Sequence, residues 1–294
     1  MVGAGGLASV LCRSLVRLGM RLDVVAVRSL DSGKKLVAEN KMGQAVSLIE
    51  WAQPVSSLVL LCVPDDAVED VATEMASRGT WKGRTVLHTS GVHNKSVLRS
   101  LAEKGASVGS FHPLQSFLGS ESQQTFRGIT IGVEGDPGAV QIGKELCNVL
   151  LAESLEIPSG AKPAYHAAAA LASNAAVTLL SVAEEIWVAS VGSSVNFGAA
   201  LGPLIMQSVT NALEKGPSEA LTGPISRGDV GTVTAHFKSI AATAPHFLAL
   251  YGSMATETVH LAMRSGRLTA EQAVALLDVI SENIAVSDSS DELP

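Results

Sequence analysis

The chain opens Met1-Val2-Gly3-Ala4-Gly5-Gly6-Leu7-Ala8, a GxGxxA spacing with a helix-like segment behind it. Each position has a physical reason in a dinucleotide-binding turn. Gly3 allows the tight turn, Gly5 lets the backbone approach a pyrophosphate, and the small Ala8 permits close helix–strand packing. A helix starting at Gly6 and Leu7 would offer free N–H groups and its positive end to the phosphates. Only Met1 and Val2 precede Gly3, so the strand that should lead into the turn is reduced to a stub unless the natural chain starts upstream of Met1. Arg28 stands 20 residues after Ala8 (28 − 8), with Ser29, Ser32, Lys34 and Lys35 behind it. NAD sites place an Asp or Glu there to hold the ribose 2′-hydroxyl. A guanidinium with hydroxyls suits the 2′-phosphate of NADP instead. Val63 and Pro64 close one apolar run, and Thr89 and Ser90 follow the next. Strand carboxyl ends line the ligand crevice of open α/β sheets, so these four residues are expected beside the same cofactor. Asp65 and Asp66 suit helix caps.

A second set of residues could carry proton transfer and substrate binding. His112 precedes Pro113, which disfavours helix at His112. It is expected on a turn after the strand Ser107–Ser110. With Gln115 beside it, His112 would contact a substrate or a nicotinamide, or else be a satisfied structural histidine. Lys162 and His166 are four apart, about 40° apart on one helix face. Ser173 returns to within about 20° of Lys162 on the same count. Roles for this pair, with Lys162 as general acid and His166 orienting a substrate or sharing the proton relay, rest mainly on the resemblance described below. The alternatives are an ordinary exposed lysine and a packed polar histidine. Arg227 can clamp a carboxylate or phosphate. Asp229 suits the N-cap of the next helix or an ion pair with Arg227. Asn174 and Asn211, inside apolar helices, read as satisfied buried amides or interface contacts. The histidines are scattered, without clustered Cys or carboxylate partners, so no metal site is expected.

These side chains need elements to position them. Leu22–Val27, Leu58–Val63 and Thr85–His88 are unbroken apolar runs of strand length. Helix-like segments alternate with them at Leu7–Leu18, Gly33–Asn40 and Ala67–Arg78. Ser107–Ser110, Ile129–Val133 and Leu155–Ile157 read as further strands. Such alternation implies a mostly parallel, Rossmann-like α/β sheet. After Pro158 the pattern turns helical: Pro163–Val191, Phe197–Lys215, Asp229–Ile240, Ala244–Ser265 and Thr269–Asn283. Thr269 and Gln272 have capping-box spacing. The expected organisation is a dinucleotide-binding domain over 1–158 and a helical substrate and dimerisation domain over 159–294. The acidic, serine-rich tail Ser287–Pro294 is expected to fray.

Composition bounds the partners. The 294 residues are 47% apolar and 17% charged, which excludes disorder for most of the chain. A net charge of −7 argues against nucleic-acid or anionic-membrane surfaces. Cys12, Cys62 and Cys147 lie far apart without CxxC spacing, which suits a reducing cytoplasm. Arg13 and Arg17 interrupt the first apolar stretch, so no signal peptide is expected. The alanine-rich stretch Ala164–Ala183 contains His166, Ser173, Asn174 and Thr178. It is therefore expected to be a buried helix of a soluble protein rather than a membrane span. Its small side chains and the apolar surfaces around it predict burial by a second copy, hence a homodimer through the helical domain.

Several blocks together resemble one family. They are His88-Thr89-Ser90-Gly91, the SFHPLQSF run Ser110–Phe117, Lys162-Pro163-Ala164-Tyr165-His166 with Ala172-Ser173-Asn174, and LTGPISRGD over Leu221–Asp229 with Thr232, Val233 and His236. The chain resembles, over nearly its whole length, bacterial NADP-dependent oxidoreductases with a Rossmann-like domain and a helical C-terminal domain of unknown function. That family is similar in architecture to the 6-phosphogluconate dehydrogenase group, which includes ketopantoate reductase, pyrroline-5-carboxylate reductase and deazaflavin-dependent NADP reductases. The resemblance implies the fold and a reduced-nicotinamide cofactor but hardly any substrate; the reading taken from it is hydride transfer between NADPH and a small carbonyl or imine. Related reductases carry Lys-x-x-x-Asn at the start of this long helix, where the lysine protonates the forming alkoxide. Here His166 replaces the Asn. A 2-oxo acid of ketopantoate type is the expected substrate. The alternatives are an imine reductase resembling pyrroline-5-carboxylate reductase and a non-enzymatic dinucleotide-binding or sensing protein.

Overall fold

The computed structural model describes residues 1–41, 43–51, 56–117 and 125–288. They fall into two compact units, Met1–Asn174 and Ala175–Pro294. Residues 289–294 of the tail lie outside the described residues.

The first unit is a mostly parallel sheet with helices. Strand β1 (Val24–Val27) pairs in parallel with β2 (Gln44–Ser47). Strands β3 (Leu58–Leu61), β4 (Thr85–His88) and β5 (Ser107–Pro113) are parallel neighbours. Strand β6 (Thr130–Gly135) runs antiparallel to β5, and β7 (Glu153–Glu156) is parallel to β6. Val2 bridges the two sets, pairing with Ala26 on one side and Leu61 on the other. Strand β2 has no local signal, because QAVS is short and polar at its ends. Strand β5 extends three residues beyond the expected Ser110, which puts His112 inside a strand and not on a turn after it.

Side chains alternate between the two faces as the pleat requires. Leu61, Val86 and Val108 join one core, with Val68, Val71 and Leu98. Leu60, Leu87 and Phe111 join the other, with Ala8, Leu11 and Ile131. The covering helices are α1 (Gly6–Arg17), α2 (Leu30–Asn40), α3 (Val68–Ala76), the single turn α4 (Arg99–Ala102) and α5 (Pro137–Leu150). Of these, α4 and α5 go beyond the elements expected from the sequence. Helix α6 (Lys162–Ala170) carries Pro163 in its first turn, where a missing N–H leaves no hydrogen bond unmade. A π turn, Leu171–Ala175, follows it.

The second unit is helical: α7 (Ala176–Val191), α8 (Phe197–Lys215), the turn α9 (Pro217–Ala220), α10 (Val230–Thr243), α11 (Leu248–Arg264) and α12 (Ala270–Asp288). Its core is built by α10, α11 and α12 around Val233, Phe237, Val259, Leu276 and Ile280. The capping box forms as expected. The Thr269 N–H donates to Gln272 Oε1 at 3.0 Å, and the Gln272 N–H donates to Thr269 Oγ1 at 3.3 Å. By contrast, α7 and α8 contain no buried residue. The alanine-rich helix is thus not buried within this chain, contrary to expectation. The run Lys162–Val191 has a mean hydropathy of 1.4, enough by length and composition to cross a membrane. It reaches that value because alanine is apolar yet small, so the face is smooth and weakly hydrophobic at each position.

Candidate active site

The glycine turn is built as its spacing dictates. Gly3 adopts φ +98°, a conformation that glycine takes without strain. A Cβ there would collide with the Cys62 carbonyl oxygen. The close approach follows from Val2 lying between two strands: the Cys62 N–H donates to Val2 O at 2.8 Å, and the Gly3 N–H to Ala26 O at 2.9 Å. Gly5, the N-cap of α1, has nothing within 4 Å of the space its side chain would occupy. A cavity of about 360 Å³ opens at this turn. Gly3, Ala4 and Gly5 line it at one side, Arg28, Ser29 and Ser32 at another, and Val63 and Pro64 at a third. Leu48, Ala67 and Val71 supply an apolar wall that no sequence motif marks. Leu48 is held there by Arg78, whose guanidinium donates to the carbonyls of Leu48 and Ile49 and pairs with Glu74.

Gly6 starts α1 at the surface, Leu7 packs against the core and Ala8 is buried beneath it, the packing expected of the third small position. Thr89 and Ser90 do not line this cavity. Both are buried, and the Thr89 hydroxyl donates to Leu61 O at 3.4 Å. Asp65 and Asp66 form an exposed 3₁₀ turn without a side-chain cap hydrogen bond, so the capping role expected of them is not found.

A second cluster gathers where β4 and β5 end and α6 begins. Lys162 is completely buried. Its Nζ donates to Ser90 O at 2.8 Å and to Ser110 Oγ at 3.2 Å. The ammonium also stands 5.7 Å from the centroid of the Tyr165 ring. Burial pushes Lys162 down to about 8, opposed by the negative charges of Glu134 and Asp65. It is therefore not an ordinary exposed lysine. His88 is buried with both nitrogens used: the Ser90 N–H donates to Nδ1, and Nε2–H donates to Asn94 O, each at 3.2 Å. Burial, with help from the Lys162 charge, pushes His88 down to about 3. It shapes the loop after β4, because its two bonds tie both Ser90 and Asn94 to one rigid ring.

His112 is half-buried, and its Nδ1 lies 2.9 Å from the Tyr165 hydroxyl. Burial first and the Lys162 charge second push His112 down to about 4. His166 packs edge-on against His112, ring centroids 5.7 Å apart, and its buried Nδ1 has no partner. Gly91 makes this crowding possible: a Cβ there would meet His166 Nδ1 and lie 2.8 Å from His112 Nε2. Lys162, His112 and His166 thus come together. Tyr165, Ser110 and His88 join them, although the sequence analysis assigned them no role. A signal for two of them exists, since Tyr165 sits three residues after Lys162 on the same helix face and Ser110 two before His112, on the same strand face.

Other expected residues lie elsewhere. Gln115 is exposed, and its Oε1 accepts from the Ser116 N–H at 2.9 Å. Ser173 falls in the π turn, where the 3.6-residue count that aligned it with Lys162 no longer holds, and it is exposed. Asn174 is exposed, not buried. Asn211 Oδ1 accepts from Gln207 Nε2 at 3.0 Å. In the second unit, Asp229 is the N-cap of α10, accepting from the Thr232 N–H at 3.0 Å and its hydroxyl at 2.6 Å. Arg227 is exposed and forms no ion pair among the described residues. Among those residues no three His, Cys, Asp or Glu side chains gather as a metal site would require.

Comparison with known proteins agrees with this architecture. Residues 1–113 match the model of a Rossmann-like domain, and residues 129–258 match that of a domain of unknown function, DUF2520. No curated protein matches the chain. Among solved structures, a Bacteroides fragilis protein described as a candidate NADP oxidoreductase is similar at a TM-score of 0.72. It is 22% identical, over 88% of this chain and 96% of that one. A Thermotoga maritima protein is similar at 0.70 and 24% identity, over 90% and 97%. A reductive aminase of Aspergillus terreus, solved with NADPH and ethyl-5-oxohexanoate, is similar at 0.62 and 15% identity, over 99% and 96%. Along the chain, a match to a Rossmann-like domain model is thus followed by a match to the DUF2520 model, and the solved structures share the fold.

Proposed function

We propose that the protein is an NADP-dependent reductase that transfers hydride from NADPH to a small carbonyl substrate. The observation that carries this reading is the open glycine turn at Gly3–Gly5, which faces a cavity flanked by Arg28, Ser29 and Ser32. The donor set fits the group. Free N–H groups at the start of α1 suit a pyrophosphate, and a guanidinium with two hydroxyls suits a 2′-phosphate. The reductive aminase that shares this fold was solved with NADPH bound, which supports the same cofactor here. Bound NADPH supplies the hydride, and the protein supplies binding, orientation and electrostatics.

In this reading His112 meets the substrate oxygen, and His166, half-buried beside it, orients the substrate. Lys162 is the proton reserve of the site. Its ammonium is held inside the protein, donating to Ser90 O at 2.8 Å and to Ser110 Oγ at 3.2 Å. A lysine brought down to about 8 yields a proton near neutral pH far more readily than an exposed one. A 2-oxo acid of ketopantoate type is the first substrate to try. Cyclic imines form the second panel, because the reductive aminase likeness favours C=N substrates as readily as C=O. NADPH consumption with ketopantoate but not with 1-pyrroline-5-carboxylate supports the first reading, and the reverse supports an imine reductase. NADPH binding without turnover across both panels favours a sensing role.

The reading includes a homodimer formed through the helical domain. Helices α7 and α8 bury nothing, and Met206, Val209 and Leu213 form an exposed stripe at spacings of three and four residues. An apolar groove of about 540 Å³ lies nearby in the same unit, lined by Leu179, Ile186, Trp187 and Tyr251 among others. A second copy fits these surfaces better than a bilayer does, since Glu184 and Glu185 sit within the apolar run of α7. The three unpaired cysteines support a cytoplasmic setting.

A further inference from the structure

We propose that Tyr165 is a positioning residue that holds His112 in its Nε2–H form, making His112 a neutral hydrogen-bond donor to a substrate carbonyl oxygen. The Tyr165 hydroxyl and His112 Nδ1 are 2.9 Å apart, with the rings edge-on at a centroid separation of 5.6 Å. Two proton arrangements satisfy that distance. If Nδ1–H donated to the tyrosine oxygen, the hydroxyl proton would need another acceptor, and none is present among the described residues. A half-buried O–H left without an acceptor is costly. If the hydroxyl donates instead, the phenol proton and Nδ1 satisfy each other and the imidazole proton sits on Nε2, the one donor of the pair left for a ligand. Burial keeps Tyr165 protonated, pushed up to about 12, so it remains a donor throughout the physiological range.

The backbone is shaped around this bond. A Cβ on Gly132 would stand 2.5 Å from the Tyr165 hydroxyl and 2.9 Å from its ring carbon Cζ. Only glycine at that point of β6 lets the hydroxyl reach β5. The other two histidines differ in kind. His88 has both nitrogens bonded to the protein, and His166 has Nδ1 buried without a partner. Of these three histidines, His112 is the one with Nδ1 beside a tyrosine hydroxyl and Nε2 without a protein hydrogen bond; His236 makes the same kind of pair with Tyr251, at 2.7 Å, in the second unit. The charged and titratable groups facing it are Lys162, His166, Asp65 and Tyr165. Burial first and the Lys162 ammonium second keep His112 neutral, and a neutral Nε2–H strengthens its hydrogen bond as negative charge develops on the oxygen it touches.

The identity of that oxygen rests on the reductase reading above, whereas the tautomer does not. The test is long-range ¹H–¹⁵N NMR of the full-length protein labelled on histidine, as wild type, Tyr165→Phe, Tyr165→Trp and Gly132→Ala. NADPH-dependent turnover of ketopantoate is measured on the same samples. The expected result is a wild-type His112 in the Nε2–H form from pH 6 to 8. Tyr165→Phe and Gly132→Ala should mix the two forms, lower kcat about tenfold and leave the KM for NADPH unchanged. Tyr165→Trp, which can donate through its indole N–H, controls for loss of ring packing and should retain more activity than Phe. A wild-type His112 protonated on Nδ1, or a Tyr165→Phe spectrum still purely Nε2–H, overturns the proposal. A tautomer that behaves as expected without turnover of ketopantoate or cyclic imines overturns the reductase reading and leaves the Tyr165 assignment standing.

Discussion

The end of the sheet and the face of α7 and α8 are opposites. At the sheet's end a lysine is fully buried, yet its ammonium is answered by Ser90 O and Ser110 Oγ, and two neutral histidines are fixed by named partners. Along α7 and α8 nothing is buried, and Leu213 is 82% exposed. One region answers its buried lysine and two of its histidines within the chain, leaving His166 Nδ1 unpaired, and the other leaves most of its apolar side chains exposed, with Ile186 packed on the helical core. Buried polar groups must be paired where they stand, because each unpaired one costs ~1–3 kcal/mol. An exposed apolar stripe can wait for a partner, because its stabilisation is realised on association.

The contrast is broken most directly by core truncation. Phe111 is fully buried, so Phe111→Ala should cost about 3–5 kcal/mol in urea denaturation. Leu213→Ala should stay within about 0.5 kcal/mol at concentrations where the chain is monomeric. Equal losses would mean that α8 is packed within the chain.

Acid should strike the sheet unit first. His88 and His112 are held down at about 3 and about 4, below the ordinary histidine range. The unfolded chain therefore binds protons that the native state refuses. Their contribution is fully present above about pH 6.5 and is lost as pH falls toward 4. Urea melts at pH 7.5 and 4.5 should show this loss, and His88→Gln should shrink it. An undiminished loss in the variant would assign acid sensitivity to other groups.

Association comes next. Met206→Asp with Leu213→Asp should raise the dimer Kd by roughly 100-fold, about 2.7 kcal/mol. Light scattering at micromolar concentration reads this directly. A wild-type monomer under those conditions refutes the dimer, and a variant dimer moves the interface off α8. A smaller effect is expected at the cavity, where Arg28→Asp should weaken NADPH by roughly 10–100-fold while NADH changes little. Parallel losses for both cofactors would remove Arg28 from 2′-phosphate recognition. Smallest is the cap of α12: Thr269→Ala should cost about 1 kcal/mol in chemical denaturation. No loss there would mean that the helix start is held by packing alone.

Local patterns carry most of this architecture. Strand β4 falls where TVLH puts it, α8 where its apolar repeat puts it, and the Thr269–Gln272 box forms as spaced. What local patterns miss depends on neighbours far away in sequence. The His112–Pro113 pair suggests a turn, but β6 pairs with β5 through Pro113 and extends the strand over it. A 3.6-residue count aligns Ser173 with Lys162, and the π turn interrupts that count. The burial of Lys162 follows from the position of the Ser90 carbonyl, 72 residues earlier, which no spacing within α6 could reveal. The role of Tyr165 depends on Gly132 being bare, a fact of the β6 backbone that its own helix does not record.

The central claim is that the turn at Gly3–Gly5 and Arg28 together bind a phosphorylated dinucleotide. The most direct test is a thermal-shift titration of the full chain with NADPH, NADP, NADH and NAD. Ligand at about 100 times its Kd stabilises the native state by ~2.7 kcal/mol, which corresponds to roughly 5–10 °C for a protein of this size. The account predicts a shift of that order with NADPH and NADP and a much smaller one with NADH and NAD. Equal shifts with all four, or none with any, would contradict it.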